Sequence, residues 1–253
     1  MADGYTPPED AINKPIEQRH EIDISLTLIF APSPSDRRIS RFLAQQLLST
    51  ADPSKIPLWG EPVLNKVAKR VFTIAGQEPL RYFERLLDSP HLPDFPRAVT
   101  AINLPEFHKF FPGIQPGPGF PTFNPELVVA RRCVNLTHLK LALNTVSLTE
   151  SPWPQYMISV FENEQDFHKA RELRPISLAR VVRQYGMNAI LKCAKLRVLE
   201  ITCVDDPHVR QYCNGGDRLG AFNGLKDYFE NEFFRRNNVY LEVKLEVLSR
   251  EGT

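Results

Sequence analysis

The densest run of chemically capable side chains is Cys203-Val-Asp-Asp-Pro-His-Val-Arg-Gln-Tyr-Cys213. It sets two thiols, one imidazole and two carboxylates within eleven residues. Thiolate and imidazole are the ligands that zinc takes in tetrahedral sites. The spacing C-x4-H-x4-C matches no common finger, and a fourth ligand would have to come from Asp205, Asp206 or a distant segment. A strand end followed by an Asp-Asp-Pro turn accounts for the same residues, and no metal ligand is assigned.

Other chemistry is harder to find. The chain has no G-x-G-x-x-G, no G-x-x-x-x-G-K-[ST], no G-x-S-x-G and no H-E-x-x-H. Gly113-Ile-Gln-Pro-Gly-Pro-Gly119 is glycine-rich, but each interleaved proline removes an amide that would cradle phosphate. His108, His138, His168 and His208 are scattered, and His138 is expected on the solvent side of a strand. No Ser or Cys has a base close in sequence, so no catalytic residue and no cofactor are assigned. Two alternatives stay open: an enzyme with a pocket under the Pro/Gly/Phe-rich loop 105–123, or a zinc-binding module at 203–213. Arg37-Arg38, Arg131-Arg132 and Arg235-Arg236 sit at expected helix ends, and in the last two pairs cations offset the helix dipole. With no aromatic interleaving and a net charge of +1, nucleic acid is not the expected partner.

These residues must be held by something, and 253 residues at 42% hydrophobic content suffice for a substantial core. Cysteine is sparse, the first residues lack the apolar centre of a secretory signal, and no stretch approaches a membrane span of about 20 apolar residues. An intracellular protein, cytoplasmic or nuclear and not membrane-bound, is expected. Twenty-two prolines fall between patterned segments and mark stiff connections. Residues 1–20 read as a mobile tail and 21–253 as one domain. The alternation Ile22, Ile24, Leu26, Leu28 predicts a strand. Periodicity of three and four predicts helices at 35–49, 62–74 and 79–87, which would form a helical cap at about 35–87. Beyond it, helix is followed by strand four times, with strands near 98–104, 136–143, 196–203 and 239–248. Strands that each follow a helix can run parallel.

Three of those strands share a phrase. Val99/Ile102/Leu104, Leu136/Leu139/Leu141 and Leu196/Leu199/Ile201 repeat L-x-x-L-x-L, and Cys133 and Cys193 precede two of them by three residues. The last two apolar residues lie two apart and share one strand face, while the first marks where the chain turns inward. The copies are 37 and 60 residues apart, longer than the ~20–29 of a regular leucine-rich repeat. The phrase therefore fits either a worn repeat or an ordinary α/β layer, and the repeat is favoured. "LLDSPHLPDFPRAVTAINL", "ARRCVNLTHLKLAL" and "LKCAKLRVLEITC" resemble the irregular leucine-rich-repeat-like regions of fungal F-box-type proteins, over about residues 86–205. The resemblance implies a helix–strand scaffold that binds other proteins. It does not extend to an F-box, because residues 1–50 lack the Leu-Pro phrase that opens that module.

The expected fold is α/β, with leucine-rich-repeat-like helix–strand units at about 88–248 and a largely parallel sheet. The expected function is non-catalytic binding of a partner protein or peptide through the open sheet face. Residues between the core leucines would face it: Asn103, His138, Lys140, Glu200 and Lys244.

Overall fold

The computed structural model describes residues 5–25, 31–48, 58–109, 124–214 and 216–249. Its strands are β1 (His20–Asp23), β2 (Arg70–Thr73), β3 (Ala101–Leu104), β4 (His138–Asn144), β5 (Thr149–Glu150), β6 (Arg174–Pro175), β7 (Val198–Asp205) and β8 (Glu242–Ser249). Six of them form one sheet in the order β1-β2-β3-β4-β7-β8, and every pair is parallel. Each new strand is laid beside the previous one, so the order never reverses. The pair β5 and β6 is a short antiparallel ribbon in the long β4–β7 connection.

Alternation along the strands sorts side chains to two faces. Ile102, Leu104, Leu139, Leu141, Leu143, Leu199, Ile201, Cys203 and Val243 join one core cluster with the apolar stripes of the helices. Those stripes belong to Arg38–Leu48, Glu61–Ala68, Gln77–Leu87, Pro125–Arg132, Leu178–Gln184 and Gly220–Asn237. These six helices therefore pack on the same side of the sheet. A second cluster of Ile16, Val71 and Ala101 lies apart from the first. Val71 and Ala101 are the neighbours of Phe72 and Ile102, and so project to the opposite face.

The two cysteine–leucine phrases adopt one local conformation. Cys133 has φ −82° and ψ 83°, and Cys193 has φ −82° and ψ 75°. In each, the cysteine amide bonds three residues back, to Ala130 O or Ile190 O. The leucine amide in turn bonds the cysteine carbonyl, at 2.9 Å in both. Both thiols are buried, so cysteine serves here as a small apolar residue that closes a helix. Asn135 ties the turns of three successive units together, donating to Arg97 O at 2.7 Å and accepting from Lys195 Nζ at 2.6 Å.

Several expectations need correction. Residues 5–20 are not a free tail: Glu9–Asn13 is helical, Ile16–Gln18 forms a 3-10 turn, and Ala11, Ile16 and Arg19 are buried. Residues 35–87 are not a separate cap, because the segment contains β2. The helix expected at 62–74 ends at Ala68 and the chain enters β2, where Val71, Phe72 and Thr73 take strand pairing in place of a further turn. Strand β1 ends at Asp23, so Ile24, expected in the strand, is buried just past it; Leu26 and Leu28 lie outside the described residues, as does most of the loop 105–123. The helix Leu178–Gln184 ends ahead of Gly186, which sits in the left-handed region at φ 61°, and a 3-10 turn, Met187–Lys192, follows. Gln155–Asn163, in the connection between β4 and β7, is a further helix that the periodicity did not assign. Among the described residues no helix is long and apolar enough to cross a membrane.

Candidate interaction face

Strand register sets the candidate residues in a line. Asp23, Thr73, Asn103, Lys140, Glu200 and Lys244 are successive cross-strand partners from β1 to β8. They alternate with the core row Ile22, Phe72, Ile102, Leu139, Leu199 and Val243, and therefore lie on the face opposite the helices. Four of the five residues expected to bind a partner thus fall in one transverse row. Asn103 Nδ2 donates to Thr73 Oγ1 at 3.2 Å. Glu200 sits between two cations, with Oε2 3.6 Å from Lys140 Nζ and Oε1 3.9 Å from Lys244 Nζ. Its side chain is only 9% exposed. Burial raises its pKa, Glu17 adds to the rise, and the two lysines oppose it. Oε1 has no hydrogen-bond partner among the described residues, and the ion pairs are long. The carboxylate thus keeps capacity for a further donor.

His138 belongs to the same face, one row earlier, beside Ala101 and Val198. The expectation that it faces solvent is wrong: it is 5% exposed, covered by the N-terminal segment. Arg19 Nη2 lies 3.0 Å from His138 Nδ1. A guanidinium has only donors, so Nδ1 accepts and the neutral ring carries its proton on Nε2. Burial lowers the His138 pKa to about 4, and Arg19 and Lys244 push in the same direction. Arg19 also donates to Thr100 Oγ1 at 2.6 Å, to Ala68 O at 3.3 Å and to Lys14 O at 2.8 Å. Thr100 in turn donates to Ala68 O. This network pins residues 5–19 across the starts of β2, β3 and β4. His138 is thus a structural residue beneath a strap, and the accessible groups of the face are those past it: Asn103 and Lys140, half-buried, and Lys244, exposed.

The run 203–213 does not converge on a metal. Cys203 lies in the helix-side core, fully buried. His208 lies against Tyr212, rings tilted by 47° with centroids 4.7 Å apart, on the helix Pro207–Tyr212. Cys213 pairs instead with Leu173 in an isolated bridge. Among the described residues no group of three or more His, Cys, Asp or Glu is placed to hold an ion. Asp205 has a different role, invisible in sequence. It is 3% exposed at the end of β7, and Arg218 grips it with Nε at 3.0 Å and Nη2 at 2.9 Å, while Arg210 adds a contact at 3.1 Å. The Arg218 hydrogen bonds hold its carboxyl below the usual range. This is an ion cluster that locks the β7 end to the segment leading into helix Gly220–Asn237.

Two surface hollows stand out among the described residues. One, of about 620 Å³, is lined by Glu78, Arg81, Glu84, Arg85, Asp88 and Arg132; the other, of about 350 Å³, lies by Tyr5, Trp59 and Pro93. The first is lined by charged side chains alone. Comparison of the chain with protein-family models, with curated proteins and with solved structures finds no match.

Proposed function

We propose that the chain is a non-catalytic protein-interaction module of the leucine-rich-repeat-like kind, which receives a partner protein or peptide on the sheet face opposite the main helix layer. The observation that supports this reading is the row Asn103–Lys140–Glu200–Lys244, which sets polar and oppositely charged groups on four adjacent strands, on the face opposite the main helix layer. A charged row of alternating sign suits a polar protein surface more than a polyanion, and it gives specificity through like-charge exclusion. The cysteines are all free, which suits the reducing interior of the cell. The likeness of residues 86–205 to F-box-type proteins supports a recognition role without supporting adaptor docking.

The test is to exchange the charges, Lys140→Glu with Glu200→Lys, which keeps an opposite pair between β4 and β7, sets lysine beside Lys244 and so changes the sign pattern that the face presents. A photo-crosslinking residue at Asn103 is compared with one at Arg81 on the helix layer. Discrete adducts at Asn103, absent at Arg81 and lost on the exchange, are expected. Identical adduct patterns before and after the exchange would refute the reading.

A further inference from the structure

We propose that β8 pairs with β8 of a second copy of this chain, antiparallel and about a twofold axis at Leu245, so that two sheets join edge to edge. Among the described residues no strand covers the outer edge of β8. Glu242 N donates toward β7, to Arg197 O at 2.8 Å. Successive amides along a strand point to opposite sides, so those of Val243, Leu245 and Val247 point outward. Val243 N shows the same direction by reaching Glu230 Oε1 at 3.4 Å. An eight-residue edge with no proline and no bulge in its ladder is a template for another strand. It also exposes apolar surface on both faces: Val247 is 41% and Leu248 46% exposed.

The charges choose the occupant and the register. In a twofold strand pair, opposed residue numbers sum to a constant. An axis at Leu245 sets Lys244 opposite the partner's Glu246, and Glu246 opposite the partner's Lys244. It also sets Val243 opposite the partner's Val247 on the core side. An axis at Lys244 opposes Glu242 to the partner's Glu246 and lysine to lysine, while an axis at Glu246 opposes two glutamates. An axis at Val243 matches charges but pairs only residues 242–244 of the eight-residue strand. Because the amide of Leu245 points outward, Leu245 meets its own copy as a hydrogen-bonded pair. The Lys244–Glu246 pairs then occupy the closer, non-hydrogen-bonded positions. The long bond from Val243 N to Glu230 gives way to the partner's Val247 carbonyl. One isologous contact satisfies both edges and closes the assembly at two copies. This pairing shares Lys244 with the sheet face proposed for another protein, but Glu246 and the outward amide of Leu245 lie outside that row, so substitutions there separate failure of one reading from failure of the other.

Sedimentation of the full chain over a dilution series tests it. The wild type is expected as a dimer that dissociates on dilution. Glu246→Lys sets lysine opposite lysine twice and should raise the dissociation constant about tenfold or more. Lys244→Glu does the same with glutamates. Mixing those two single variants should give a mixed dimer tighter than either variant alone, because every pair is then complementary. Leu245→Pro removes an outward amide without touching a bond to β7, and should leave a folded monomer by circular dichroism. A wild type monomeric at its highest soluble concentration, or mixed variants no tighter than separate ones, would overturn the proposal.

Discussion

Acidification should loosen the strap through His138, and the loss should vanish when residue 138 cannot titrate. The folded ring titrates near 4, against 6.5 in the unfolded chain. Between these values the unfolded state binds more protons, so stability rises with pH and falls as pH drops from about 6.5 towards 4. The full shift corresponds to about 3 kcal/mol, and solvent screening reduces the expected effect to about 2 kcal/mol. The groups that face the ring are Arg19, Lys244, Glu17 and Arg197, and burial outweighs all of them. His138→Asn offers Arg19 an amide oxygen near the position of Nδ1 and carries no titratable proton. Urea unfolding of both proteins at a series of pH values from 7 to about 4.5 isolates the term as a difference. Carboxylates such as Asp205 contribute equally to each and cancel. The wild-type curve should fall more steeply than the variant's below pH 6.5. Parallel curves would mean that His138 is not held neutral under Arg19, and the account of the strap would fail.

Two further predictions follow from burial. Leu139→Ala and Leu141→Ala, both fully buried in the helix-side core, should each cost ~2–5 kcal/mol in chemical unfolding; a loss below about 1 kcal/mol would contradict the packing described. Arg218→Ala strips the two-pronged contact from buried Asp205 and should cost about 1–3 kcal/mol. The same substitution made with Asp205→Asn should cost less than the sum of the two single changes, and additivity would show that the groups do not interact.

Local pattern carried far in this chain. The alternation of Leu139, Leu141 and Leu143, and of Leu199, Ile201 and Cys203, was enough to assign each strand a buried side and a polar side, because side chains in a strand have a period of two. The cysteine–leucine phrases announced a shared turn, and the two backbones agree closely. Asn103, Lys140, Glu200 and Lys244 were therefore readable as members of one face before any register was known. Where the pattern misled, the cause was distance along the chain. Val71 and Phe72 fit a helical stripe as well as a strand, and pairing with β1 and β3 decided between them. His138 has the sequence position of an exposed residue. Only the return of Arg19, 119 residues away, buries it, and no local periodicity encodes that contact. Asp205 likewise looked like a turn residue until Arg218 closed on it. Sequence alone thus determined the helix–strand alternation and the two-sidedness of each strand, since both depend on nearest neighbours. The parallel order, the single charged row and the strap over its start depend on which distant segments meet, and that only tertiary packing decided.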